Sequence, residues 1–170
     1  SGIPIFGVNI GRLGFLSSTP FEELTQAFQF LKNGKFQVDH RTLVKAETKD
    51  DLFGNDNYAL NEVSVHKSAT SSMVVVNAYL DDFFLNTYWA DGLIISTPTG
   101  STGYSLSTGG PIVAPGTNNL IITPIAPHNL NVRPLVISDN RSITLKIEAT
   151  DPNFMISLDS QSKVVGSEVE

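Results

Sequence analysis

A succession of short apolar runs, separated by turn-forming residues, constrains the fold of this chain most. Within the runs apolar and polar residues largely alternate, as they do in strands with one buried face. In chain order the runs are FQVDHRTLVKAET, YALNEVSVHK, SMVVVNAYL, FFLNTYW, LIIS, LIITPI, PLVI and SITLKIEA. Many short strands at this spacing predict a mostly β, layered β-sandwich-like domain.

The residues between the runs predict how neighbouring strands connect. The first two runs are separated by DDLFGNDN, in which residues 54–57 are all turn formers, so these runs are expected to form a hairpin. Asp81 and Asp82 separate the next two runs and predict a second hairpin. SDNRS predicts the turn before the last run.

One longer helix is expected in the stretch STPFEELTQAFQFLKNG. Thr19 is positioned to cap it, Pro20 to occupy its first position, and Glu22 to complete a capping box, while Gly34 follows its end. Apolar residues at helical spacing predict one face buried in the core: Leu24, Phe28 and Leu31.

Composition excludes several classes of protein. With 170 residues, 41% hydrophobic and 16% charged, residues 1–170 fit a single globular domain with a core of its own. The chain has no cysteine, which excludes disulfides and thiolate metal sites. A net charge of -6 argues against a nucleic-acid partner. No apolar run approaches the roughly 20 residues of a membrane span, so a cytoplasmic protein without a membrane partner is expected.

The two ends predict that the chain is a piece of a longer protein. An apolar strand is expected over Ile3–Val8, almost at the first residue, and leads directly into a glycine-punctuated loop. The other end follows a strand-like stretch and a turn, without a closing element.

The segment DGLIISTPTGSTGYSLSTGGP, residues 91–111, is poor in bulky side chains. It predicts a buried strand ended by Pro98, then a short helix capped by Ser101 or Thr102. Such a turn, with free N–H groups and hydroxyls, suits an anion or the polar edge of a ligand. Glycine at 100 and 103 would let that ligand approach the backbone closely. An ordinary capped turn is the alternative.

Other known motifs fit this segment poorly. No lysine follows its glycines as a Walker-type loop requires, and no glycine lies two residues before Ser101 as a nucleophile elbow requires.

His40, His66 and His128 lie far apart, so a protein-held metal is not expected. His40 and His66 are expected in strands, whereas His128 lies in a loop where it could contact a ligand.

Four segments in the same order resemble the NAD kinase family: GVNIGRLGFL, LNEV, the segment of residues 91–111, and PIAPHNLNVRPLVI followed by ISLDSQ. The resemblance implies transfer of phosphate from ATP or polyphosphate, with Mg²⁺ or another divalent cation, to the adenosine ribose 2′-hydroxyl of NAD, giving NADP. It also implies a homodimer or homotetramer.

The resemblance further implies a dinucleotide site. Asn61 would bind the adenine or ribose end of NAD, with Glu62 beside it. The remaining implied NAD-binding residues are Asp91, Thr99, Thr102, Gly103, Tyr104, Ser107, Phe15, Leu16 and His128. Structural roles stay open as alternatives: Glu62 could pair at a strand edge, Asp91 could cap a turn, and Phe15 could belong to the core.

The sequence departs from the family pattern in two places. Gly103 stands where the family usually has alanine, which should widen the site slightly. The family's Gly-Gly-Asp-Gly motif, to which phosphate binding and the general base are assigned, is absent from these 170 residues. This chain is therefore expected to be the C-terminal portion of an NAD kinase, to carry no catalytic residue and to be inactive alone. A non-catalytic dinucleotide-binding or assembly module and a related lipid kinase are the alternatives.

Overall fold

The structure is a computed structural model that describes residues 3–11, 16–17, 19–68, 73–149 and 153–166. The chain forms two compact units, Ser1–His40 and Arg41–Glu170. No helix in these ranges is long and apolar enough to cross a membrane.

The first unit contains two short parallel strands, β1 (Val8–Asn9) and β2 (Thr19–Pro20). A 3-10 turn (Phe21–Glu23) follows and leads into helix α1 (Leu24–Lys32). The predicted helix is confirmed, but its predicted capping box is wrong. Thr19 pairs in β2, and Pro20 precedes the first turn with no side-chain cap. The strand predicted over residues 3–8 is much shorter than expected, because only Val8 and the following Asn9 are in a strand.

The apolar face of α1 is less buried than predicted. Leu24 and Leu31 are half-buried, whereas Phe28 is 57% exposed, and no residue of the helix is fully buried. Gly34 lies just beyond the helix with φ +66°, a left-handed conformation that suits a helix terminus and that glycine adopts readily.

The second unit is built from strands and one short helix. Its elements are β3 (Val44–Lys45), β4 (Tyr58–Ala59), β5 (Glu62–Lys67), β6 (Val74–Leu80), β7 (Phe83–Ala90), β8 (Gly92–Ser96), α2 (Tyr104–Ser107), β9 (Asn119–Ile125), β10 (Leu135–Ser138), β11 (Ile143–Ala149), β12 (Asn153–Leu158) and β13 (Gln161–Gly166). The larger sheet has the order β10-β9-β8-β5-β12-β13, with every pair antiparallel. A smaller sheet has the order β11-β6-β7.

The predicted hairpin at Asp81 and Asp82 is confirmed, whereas the first predicted hairpin forms over only two residue pairs, with the rest of its first run outside any strand. β3 pairs antiparallel with β4, and β6 with β7. The turn between β6 and β7 consists of Asp81 and Asp82, with φ values of 47° and 69°. Aspartate tolerates this left-handed conformation better than most residues, which is why a two-residue turn fits here.

The core lies between one face of the larger sheet and the smaller sheet. Val65, Leu93, Ile122 and Ile156 from the larger sheet belong to the same buried cluster as Val76 of the smaller sheet. A layered, mostly β architecture is therefore confirmed. Because strand residues alternate between faces, the other face of β5 carries the polar residues Glu62, Ser64 and His66.

Candidate functional site

The polar face of β5 is in contact with the segment that follows β8. Glu62 pairs across the sheet with Ser96, the last residue of β8. Beyond Ser96 the chain turns at Pro98 and forms a 3-10 turn (Gly100–Thr102), followed by α2. On the neighbouring strand β9, the buried Thr123 hydroxyl lies 2.9 Å from the Ser105 hydroxyl, which seats α2 on this face.

The structure corrects the predicted capping of the short helix. Neither Ser101 nor Thr102 caps α2, because Gly103 occupies the N-cap position and provides no side chain. Instead the Ser101 hydroxyl is fully buried, donates to the Pro98 carbonyl at 2.7 Å and accepts the Val113 N–H at 3.0 Å. With only four residues, α2 offers little helix dipole for an anion, so side chains must provide most of the recognition.

The two glycines of this segment have different surroundings. A Cβ on Gly100 would collide with the backbone Cα, C and O atoms of Asn61. Gly100 therefore permits backbone packing, and the prediction that it leaves room for a ligand is wrong. A Cβ on Gly103 would lie 3.2 Å from the Gly100 carbonyl and 3.4 Å from Glu62 Oε2. The exposed Gly103 thus lies directly beside the Glu62 carboxylate, and even a methyl group at this position would make close contacts.

The backbone of Leu60–Glu62 is held by two side chains and the backbone next to them. Asp159 accepts the N–H groups of Leu60, Asn61 and Glu62 at 2.7, 2.9 and 3.0 Å, and its own N–H donates to the Glu62 carbonyl. Thr97 completes the arrangement: its hydroxyl donates to the Leu60 carbonyl at 2.5 Å, and its N–H donates to the Asn61 carbonyl at 2.9 Å. All six backbone polar groups of this segment are thereby satisfied.

Glu62 carries an unusual carboxylate. Its Oε2 atom is buried and has no hydrogen-bond partner among the described residues. Burial, followed by the negative charge of Asp159, raises the pKa of Glu62 above its ordinary value. A buried oxygen without a partner can be satisfied by a ligand hydroxyl or amide.

An aromatic pair lies further along the same face. The rings of His66 and Tyr104 stack with centroids 5.7 Å apart, and His66 Nε2 lies 2.8 Å from the Ser64 hydroxyl. Burial lowers the pKa of His66, which favours its neutral form. Tyr104 remains 40% exposed, so one part of its ring is available to a bound molecule. His66 is a strand residue as predicted, whereas His40 lies outside any strand.

Asp91 and His128 lie at the other end of β8 from the segment just described. Asp91 precedes β8, which spans about 13 Å from its first to its last Cα. Its carboxylate forms an ion pair with Lys67 at 2.7 Å, and its N–H donates to the carbonyl of Ile125, the last residue of β9. His128 follows β9, is exposed, and donates its backbone N–H to the carbonyl of Trp89. The predicted site residues considered so far thus fall into two groups, one at each end of β8.

The remaining predicted residues are placed as follows. Thr99 is half-buried, and its hydroxyl accepts a hydrogen bond from Arg41 Nη1 at 3.3 Å. Thr102 is half-buried, and Ser107 is exposed on α2. Leu16 is 54% exposed in the first unit, and Phe15 lies outside the described residues. Within the described ranges, no three His, Asp or Glu side chains cluster as a metal site would require.

Sequence reasoning did not select Asp159, Thr97 or Arg41. Asp159 lies in the segment ISLDSQ, which the resemblance included, but nothing in a single sequence indicates that its carboxylate contacts residues almost a hundred positions earlier. Thr97 lies in the hydroxyl-rich segment of residues 91–111 but was not singled out within it, and Arg41 lies outside all the segments that carry the resemblance.

Comparison with known proteins agrees with this architecture. Residues 60–168 match the family model of the ATP-NAD kinase C-terminal domain. The NAD kinase of Cytophaga hutchinsonii is 53% identical over 168 residues, covering 99% of this chain and 58% of the relative. The NAD kinase of Flavobacterium psychrophilum is 51% identical over 170 residues, with the same coverage. This chain thus spans 58% of the length of either relative.

Solved structures show the same similarity. Yeast NADH kinase complexed with NADH superposes with a TM-score of 0.84 at 32% identity, covering 96% of this chain and 48% of that one. An NAD kinase from Archaeoglobus fulgidus in complex with ATP gives a TM-score of 0.75 at 28% identity, covering 98% and 66%. The chain belongs to the ATP-NAD kinase C-terminal domain family, which confirms the resemblance found in its sequence.

Proposed function

We propose that the protein containing this chain is an NAD kinase, which transfers a phosphoryl group from ATP or polyphosphate to the adenosine ribose 2′-hydroxyl of NAD. In this proposal the present chain supplies the site for the acceptor, NAD. Membership of the family and the similarity to kinases whose complexes contain NADH and ATP support it.

The observation that carries the proposal is the surroundings of Glu62. Its buried Oε2 has no hydrogen-bond partner among the described residues and lies beside the exposed Gly103, next to an Asn61 backbone fixed by Asp159 and Thr97. Polar groups that are held in place before a ligand arrives reduce the entropy lost on binding. A ribose with two hydroxyls and an adenine edge present the donors that such a site can satisfy.

The proposed acceptor site extends along the polar face of the sheet. Glu62 and Asn61 would bind the adenosine part, and Tyr104, stacked on His66, would offer an aromatic surface beside it. The other residues proposed to contact NAD are Thr99, Thr102, Gly103, Ser107, Asp91, His128, Leu16 and Phe15.

Transfer of a phosphoryl group needs more than an acceptor site. It requires in-line positioning, neutralisation of the phosphate oxygens and a group that orients or deprotonates the attacking hydroxyl. The proposed cation, Mg²⁺, would accompany the phosphate donor, and no described residue of this chain is assigned to it. Because the Gly-Gly-Asp-Gly motif is absent from the sequence, we propose that the general base lies outside the chain and that the chain alone is inactive.

NADP formation tests the proposal. The full gene product and the 170-residue chain would each be incubated with NAD, Mg²⁺ and either ATP or polyphosphate, with NADH and a diacylglycerol as alternative acceptors. We expect NADP from the full product and none from the chain alone. Phosphorylation of the lipid and not of NAD would replace the proposal with a lipid kinase, and NAD binding without any transfer would replace it with a non-catalytic dinucleotide-binding module.

Assembly and location follow from the same proposal. We propose a cytoplasmic homodimer or homotetramer with NAD, NADP and ATP as its ligands. Light scattering of the full product at several concentrations tests the oligomer, and a strictly monomeric protein would contradict it.

A further inference from the structure

We infer that Asp159 is a positioning residue of the acceptor site. Its carboxylate orients the side chains of Asn61 and Glu62 by fixing the backbone of these two residues. The identity of the ligand in this inference rests on the proposed function. The role of Asp159 itself follows from contacts within the chain.

One carboxylate holds three consecutive N–H groups. Oδ2 accepts the N–H of Leu60, and Oδ1 accepts those of Asn61 and Glu62, at distances of 2.7 to 3.0 Å. Hydrogen bonds to an ionised acceptor are about twice as strong as neutral ones. Three of them on adjacent residues fix the direction in which the two side chains leave the backbone.

The turn that carries Asp159 is itself fixed in register. β12 pairs with β5 so that Leu158 lies opposite Val63, and Asp159 begins the two-residue turn into β13. Its φ of 47° places it in the left-handed region. Its backbone N–H donates a hydrogen bond to the Glu62 carbonyl at 3.0 Å. The carboxylate is therefore held in place beside the first residues of β5.

Strand pairing alone does not account for this arrangement. From Glu62 onwards, β5 is paired with β8, and from Val63 onwards also with β12. Leu60 and Asn61 precede the strand, where Asp159 and Thr97 supply the hydrogen bonds to their backbone. Removing the carboxylate should therefore loosen the ligand-facing residues while leaving the paired strand in place.

The test compares Asp159→Asn with Asp82→Asn in the full gene product. Both aspartates have positive φ and lie in two-residue turns between antiparallel strands, but Asp82 lies in the β6–β7 turn. Two quantities would be measured: amide hydrogen exchange at residues 60–62, and the KM values for NAD and for ATP together with kcat.

We expect Asp159→Asn to speed exchange at Asn61 and Glu62 and to raise the KM for NAD by about ten- to a hundredfold, as loss of hydrogen bonds to a charged group implies. The KM for ATP should change less than about threefold by the same reasoning, and Asp82→Asn should match the wild type. An unchanged KM for NAD, or an equal rise in both KM values, would overturn the inference.

A second variant guards against failure of Asp159→Asn to fold. Thr97→Val removes the hydroxyl that donates to the Leu60 carbonyl, on the other side of the same segment, and that also accepts the Gly100 N–H at 3.1 Å. This variant should also raise the KM for NAD selectively. If neither variant changes that value, the inference is wrong. If the wild-type protein makes no NADP, the proposed function fails, and faster exchange in Asp159→Asn alone would still show that the carboxylate holds residues 60–62.

Discussion

The rings of His66 and Tyr104 lie nearly parallel, at 18°, with their centroids 5.7 Å apart. This stack joins the middle of the larger sheet to the first residue of α2. Because Tyr104 is also a proposed contact of NAD, the protonation state of His66 should influence both the stability of the fold and the binding of the dinucleotide.

The pKa of His66 is lowered by burial, and the sign of its effect follows. Above its ordinary pKa of about 6.5, the imidazole is neutral in both the folded and the unfolded chain. Below that value the unfolded chain takes up a proton more readily, so stability is lost as the pH falls from about 7 to 5. His66→Phe, which keeps the stack, should reduce this loss. Thermal unfolding from pH 5 to 8 measures it, with the exposed His40→Gln as control; equal profiles for wild type and His66→Phe would contradict the prediction.

Substitution by alanine should affect the stability of the fold far less at Gly103 than at Gly100. At position 103 the new methyl meets Glu62 Oε2 at 3.4 Å, an ordinary contact distance, and the Gly100 carbonyl at 3.2 Å, which a small local shift of the backbone can relieve. We expect a change within about 1 kcal/mol in unfolding free energy for Gly103→Ala. Gly100→Ala collides with the Asn61 backbone and should cost at least about 2 kcal/mol. Urea unfolding measures both, and equal costs would show that the two glycines do not differ as described.

Glu62→Gln should stabilise the fold at neutral pH. Burial and the charge of Asp159 raise the pKa of Glu62 in the folded state. The unfolded chain therefore loses this proton more readily than the folded chain, so stability falls as the pH rises from the ordinary pKa of about 4.3 to the raised pKa. Below about 4.3 the effect is absent, because Glu62 is protonated in both states. The variant should therefore have a higher Tm than wild type at pH 7.5, with the difference shrinking towards pH 4. The same variant should bind NAD about tenfold more weakly, since it loses a charged acceptor. A lower Tm at pH 7.5 would contradict the assigned cause of the shift.

The ion pair between Lys67 and Asp91 should contribute little to stability. Both side chains are about one-third exposed, at 33% and 35%, so Lys67→Gln should change the unfolding free energy by less than about 1 kcal/mol. Asp91→Ala should weaken NAD binding by about tenfold, whereas Lys67→Gln should not, if Asp91 contacts the dinucleotide. Calorimetric titration separates the two effects, and equal losses of affinity would assign the role to the pair.

Local patterns predicted much of the fold because their causes are local. Alternation of apolar residues predicted the strands, and the paired aspartates at 81–82 predicted a turn that only a few residue types can form. The predicted capping box at Thr19 does not form because Thr19 pairs with Val8 in a strand. The helix-capping pattern of the sequence gives no indication of this pairing.

The sequence predicted which segment contributes to the site, but not the contacts that this segment makes with distant residues. The glycines and hydroxyls of residues 97–107 drew attention to the segment, but the space at Gly100 is filled by the backbone of Asn61, which lies 39 positions earlier. Asp159 acts on residues 97 to 99 positions away. Such contacts depend on strand order, and a single sequence does not contain that order.

Calorimetric titration of NAD into wild type and Asn61→Ala tests the central claim most directly, with Asn55→Ala in an exposed turn as the matched control. We predict that the wild type and Asn55→Ala bind NAD equally, and that Asn61→Ala loses about 1–3 kcal/mol of binding free energy, the cost of an unpaired buried hydrogen-bonding group. Equal affinity of a folded Asn61→Ala protein would contradict the placement of the acceptor site on this face of the sheet.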